Sequence, residues 1–116
     1  MININAEKVR DIALMSLDRD KAEDIEVIDL TGKADFAKFS IIATGGSDRH
    51  VAALARKLAD DLKSSGLIPQ GVHIEGMGSK EWVLVDALEV IIHIFLPEVR
   101  EKYDLSKLYA KWGIQS

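Results

Sequence analysis

The chain has 116 residues, 47% hydrophobic and 29% charged, which suits one domain with a real core and excludes a disordered segment. It carries no cysteine, so a disulfide scaffold, a cysteine nucleophile and a thiolate metal site are excluded. Fifteen Lys and Arg against nineteen Asp and Glu leave a net charge of −4, a poor match to broad contact with DNA or other nucleic-acid backbones.

Asn5 to Leu17 places Ala6, Val9, Ala13 and Leu17 at helical spacing, and Asp18-Arg19-Asp20 ends the segment in a polar turn. Ile25 to Leu30 reads as a strand rich in branched residues, and Thr31 to Asp35 as a loop. Thr31-Gly32-Lys33 lacks the glycine-rich stretch of a P-loop. Phe39 to Thr44 is a near-continuous apolar run, the mark of a strand covered on both faces and therefore inside a sheet.

Gly45-Gly46 breaks that strand, and Ser47 is placed to cap the following helix with Asp48 at its positive end. Val51, Leu54, Ala55, Leu58, Ala59 and Leu62 form the apolar stripe of this helix, and Gly66 stands just past its end. Three short strands follow at 72–75, 81–86 and 90–96, the last two as a hairpin. Pro97 begins a short helix, and Asp104 caps another through Leu105, Leu108 and Trp112. This order implies a single α/β domain with a five-stranded mixed sheet flanked by helices.

No stretch approaches the ~18 apolar residues that span a bilayer. Met1-Ile2-Asn3-Ile4-Asn5 has neither the basic region nor the apolar run of a signal peptide. The expectation is a cytosolic protein with no membrane partner.

Gly45-Gly46-Ser47 between a strand and a helix could cradle a phosphate, and the same arrangement opens nucleotidyltransferase domains. Magnesium-dependent transfer would also need two carboxylates alternating along a later strand. Glu75 and Asp86 stand apart, with no Asp-x-Asp, so a tight turn with an N-cap explains the segment better. His50, His73 and His93 are the only imidazoles, with no His-x-His spacing and no Gly-x-Ser-x-Gly elbow. Neither a metal, a cofactor nor a catalytic residue is expected.

Glu81 to Asp86 is different in kind. Period-two alternation places Trp82, Leu84 and Asp86 on one face and Val83 and Val85 on the other. The valines suit the core, which leaves a tryptophan, a leucine and a carboxylate displayed together as a binding surface. A sheet covered on both faces would instead make Trp82 part of the core, and both readings stand open at this level.

Three blocks then resemble the ribosomal silencing factor S family, also called Iojap/YbeB. The first is Asp24 to Leu30 and the second Ile41 to Val51. The third joins Glu75-Gly76, Glu81 to Asp86, Val90 to Glu98, Arg100, Tyr103 and Leu105. The chain departs from the family pattern in having Ala87-Leu88-Glu89 where an aromatic-Gly-acid turn is common, and Lys102 in place of an aromatic residue. The resemblance covers nearly the whole chain and implies a nucleotidyltransferase-like fold lacking the catalytic carboxylates. It also implies a translational repressor that binds ribosomal protein fourteen of the large subunit and blocks subunit joining under nutrient limitation. It further implies a homodimer when free. It places the contact around Trp82, Leu84 and Asp86, with Glu75 and His93 joining them if the strand register allows. A magnesium-dependent nucleotidyltransferase using Ser47 and Asp86, and a large-subunit assembly factor, are the alternatives.

Overall fold

Asn5 accepts the Lys8 N–H at 3.0 Å and so starts the first helix, α1 (Ala6–Arg19). A computed structural model describes residues 5–111 of the chain. The further elements are β1 (Glu23–Asp29), β2 (Phe39–Thr44), α2 (Asp48–Ser64), β3 (His73–Glu75), β4 (Trp82–Asp86), β5 (Val90–Phe95), α3 (Pro97–Lys102) and α4 (Leu105–Lys111). Strand β1 runs two residues earlier than the pattern predicts and ends before Leu30, whose N–H closes the next loop onto the Lys38 carbonyl.

The five strands form one mixed sheet in the order β1-β2-β5-β4-β3, parallel between β2 and β5 and antiparallel elsewhere. The predicted interior strand is interior, since β2 lies between β1 and β5 and all six of its residues are buried. The edges are modified against further pairing. β1 carries a register break between Glu23 and Glu26 and displays four acids, while β3 is three residues long.

Helices α1 and α2 cover one face of the sheet. Val9, Ala13 and Leu17 meet Leu54, Leu58 and Leu62 over Ile41, Val83, Val85, Ile92 and Ile94. Ser47 caps α2 by accepting the His50 N–H, and Gly66 beyond its end takes a φ of +73°. In the predicted stripe Ala59 is only half-buried, and Ala52 is buried beside it. Gly45 is fixed by packing, since a Cβ there would meet Val51 Cγ2 at 2.8 Å.

A smaller cluster lies on the opposite face, where Ile28, Leu30, Ala37, Ile42, Phe95 and Tyr109 are buried with Val99 and Leu105 packed against them. Asp104 accepts the Lys107 N–H at the start of α4, as predicted. Trp112 lies outside the described residues, as does the side chain of Leu108. The second cover therefore reaches β1, β2 and part of β5. The β4–β3 half of that face stays open, which is where the site forms.

Candidate functional site

Along β4 the alternation holds: Val83 and Val85 are fully buried, while Trp82, Leu84 and Asp86 are half-buried on the open side. Register decides which neighbours join them. Glu75 pairs with Leu84, and Leu84 pairs with His93, so the three side chains stand in one row across β3, β4 and β5. A shallow groove of about 300 Å³ is lined by Glu75, Gly76, Trp82, Leu84 and His93. Four of the five sequence-predicted contact residues thus meet. Asp86 sits at the far end of β4, where its carboxylate accepts the Leu88 N–H at 2.9 Å and holds the hairpin turn.

Trp82 belongs to both of the readings offered for it. Its ring packs on Phe95 at 4.8 Å and Tyr103 at 5.3 Å between centroids, yet the side chain also lines the groove. The indole Nε1–H donates to His93 Nδ1 at 3.1 Å. That bond assigns the imidazole proton to Nε2 in the neutral ring. Burial pushes the His93 pKa down to about 4, so the ring is neutral at physiological pH. The charge lining the groove is then the Glu75 carboxylate, exposed and bonded to His73 Nε2 at 3.0 Å.

Gly76 has a φ of +93°, and a Cβ there would run into the Trp82 carbonyl oxygen. The chain can therefore turn out of β3 beside Trp82 only with glycine at this position. Tyr103 and Phe95, which buttress the indole, carry no periodic signal that marks them as part of the site; only their place in the family block does.

A second groove, of about 380 Å³, lies between β1 and α3, but its cation has a structural job. Arg100 Nη1 donates to the Asp24 carbonyl at 2.6 Å and to Thr44 Oγ1 at 2.8 Å, and Nη2 lies 3.8 Å from Glu26. Arg100 thereby pins α3 to the ends of β1 and β2. In the Gly45-Gly46-Ser47 segment, His50 Nδ1 accepts the Gly46 N–H at 3.0 Å and Nε2 contacts the Asp20 carbonyl at 2.9 Å. The loop is thus tied to the end of α1. The transferase pair does not assemble either. Ser47 follows the Thr44 end of the sheet, whereas Asp86 pairs with Ile91 next to Ser40, about 13 Å away along the strands. Among the described residues no three His, Asp or Glu side chains converge as a metal site would require.

The fold is a small α/β domain with an open groove on one half of its sheet. Over residues 3–115 the chain matches the family described as RsfS, ribosomal silencing factor during starvation. It is 46% identical over 99 residues to the ribosomal silencing factor RsfS of Zymomonas mobilis, covering 84% of this chain and 70% of that one. It is also 33% identical to the mouse protein named mitochondrial assembly of ribosomal large subunit protein 1, over 91% of this chain and 46% of that longer protein. A crystal structure of a Chromobacterium violaceum protein superposes with a TM-score of 0.85 at 36% identity, over 97% of this chain and 89% of that one. The chain belongs to the ribosomal silencing factor family.

Proposed function

We propose that this protein binds the large ribosomal subunit through the open β3–β4 face, contacts ribosomal protein fourteen there, and blocks joining of the small subunit. The observation that carries the reading is the assembly of Glu75, Trp82, Leu84 and His93 into one groove on the half of the sheet that no helix covers. A tryptophan half-embedded in an aromatic cluster is rigid, and it therefore loses little side-chain entropy when a partner packs on it. The net charge of −4 favours a basic ribosomal protein over ribosomal RNA as the surface engaged.

Blocking of this kind is steric. A body measuring 40 × 33 × 23 Å seated at the subunit interface prevents closure without chemical turnover. The same exposed apolar groove gives two free copies a reason to pair, and the site of action is the cytosol, where ribosomes translate. The name of the mouse relative favours a second reading, assembly of the large subunit, and such a factor would use the same face.

Co-sedimentation with isolated large and small subunits tests the proposal. The protein is expected to travel with large subunits only, and to reduce the yield of joined particles when added before the small subunit. Trp82→Ala is expected to weaken the association by about 2 kcal/mol or more. A folded Trp82→Ala protein that still sediments fully with large subunits would refute the assignment of the face.

A further inference from the structure

His93 is only 8% exposed, yet one of its ring nitrogens is unspent. Nδ1 accepts the Trp82 indole N–H at 3.1 Å, so the proton of the neutral ring is on Nε2. Among the described residues, Nε2–H donates to nothing. None of their polar side-chain atoms is both sealed from solvent and unpaired, so Nε2 keeps surface of its own. The space this ring borders is the groove it shares with Glu75, Trp82 and Leu84. A side chain more than nine-tenths buried thus holds one free donor toward the groove. Glu75 stands in the same row two strands away, about 10 Å off at ~4.8 Å per strand, and its carboxylate supplies the charge along the lining.

We propose that His93 Nε2–H is a specificity-determining donor that takes an uncharged carbonyl oxygen from a peptide segment of the large-subunit protein laid across Trp82 and Leu84. This inference rests on the function proposed above and names the group that its groove reads. The class of acceptor follows from charge. A phosphate or carboxylate on Nε2–H would share the groove with the Glu75 carboxylate and meet only a neutral donor, whereas a carbonyl brings no charge. RNA carries a phosphate with every nucleotide, which the net charge of −4 also opposes. A peptide in the groove offers carbonyls along its length. Selectivity comes from the bond left unmade: a partner that covers the groove without an acceptor there strips water from Nε2–H and returns nothing. The Trp82 bond supplies the orientation, because it keeps the proton off Nδ1 and so on the groove side.

The test uses the full chain with His93→Phe, His93→Gln and Trp82→Ala, each followed by thermal melting and by titration onto isolated large subunits. Phenylalanine keeps a ring and removes the donor, whereas glutamine places an amide N–H near the Nε2 position. His93→Phe is expected to bind at least about tenfold more weakly, and His93→Gln to stay within about threefold of the parent. A folded His93→Phe that binds as the parent does, beside a loss in Trp82→Ala, would overturn the donor and leave the groove assignment standing. His93→Gln as weak as His93→Phe also sinks the donor, since shape alone would then decide. Full binding by Trp82→Ala rejects the groove, and the donor with it. An equal His93→Phe loss on protein-free large-subunit RNA would rule out the protein occupant. Imidazole nitrogen NMR of the parent chain decides the matter if a variant unfolds. Isolated ribosomal protein fourteen should slow the exchange of Nε2–H with water and move its proton downfield. Leu84 methyl shifts without that change would overturn the donor, and no shift at either residue would reject the function it rests on.

Discussion

Trp82 on β4 and His93 on β5 are diagonal neighbours, and the indole N–H donates to the imidazole Nδ1 at 3.1 Å. Each residue makes the other possible. The hydrogen bond satisfies two half-enclosed polar atoms, and it works only while the imidazole is neutral. His93 is 8% exposed, so removing its partner leaves an acceptor with poor access to water.

Trp82→Phe separates the ring from the hydrogen bond. Packing on Phe95 and Tyr103 is largely kept, but Nδ1 of His93 is stranded. A loss of about 1–3 kcal/mol of folding stability is expected in urea unfolding. A variant as stable as the parent would show that Nδ1 finds water instead.

The acid limb of stability follows from the same imidazole. The unfolded chain takes up a proton near the ordinary pKa of 6.5, and the folded chain only near 4. The stabilisation is therefore complete above pH 6.5 and is lost as the pH falls from there to about 4. The loss reaches about 3 kcal/mol at the lower end. Asp20, Asp29 and Asp61 have pKa values lowered chiefly by hydrogen bonds from Arg19, Thr31 and Ser16, respectively. Their contributions are lost as the pH falls from the ordinary carboxylate value through their lowered ones, at the acid end of the His93 decline. Unfolding free energies at pH 7, 5.5 and 4.5 should show the decline, and His93→Gln should flatten it. An unchanged slope in that variant would assign the decline to another group.

Gly76→Ala tests how the groove is held. With a φ of +93° and the Trp82 carbonyl in the way, the methyl group must push β3 off β4. A loss above about 2 kcal/mol is expected, together with weaker large-subunit binding. Gly46→Ala is the control, because nothing lies within 4 Å of the added Cβ and its φ is not positive.

Asp86→Lys should weaken association with large subunits by placing like charges across the contact. The variant also loses the acceptor for the Leu88 N–H, so melting must be followed in parallel. A drop in the association rate that vanishes at high salt would place position 86 on the rim of the interface. No change at low salt would remove it from the interface.

Much of the architecture was legible in the chain because it depends on local periodicity. The unbroken stripe of Val51, Leu54, Leu58 and Leu62 could form only a helix with one buried side. The run from Phe39 to Thr44 could lie only inside a sheet, and Val83 and Val85 fixed the inward face of β4. The order of residues also marked Trp82 and Leu84 as partners. What it could not decide was whether Glu75 and His93 would join them, because register across β3, β4 and β5 depends on pairing between strands distant in sequence. Nor could periodicity say how far the second layer would reach. The α3–α4 cover ends over β5, partly because Arg100 pins α3 to β1 and β2, and that limit leaves Trp82 half core and half surface. A strand pattern records which way a side chain points; only the packed structure determines what meets it there.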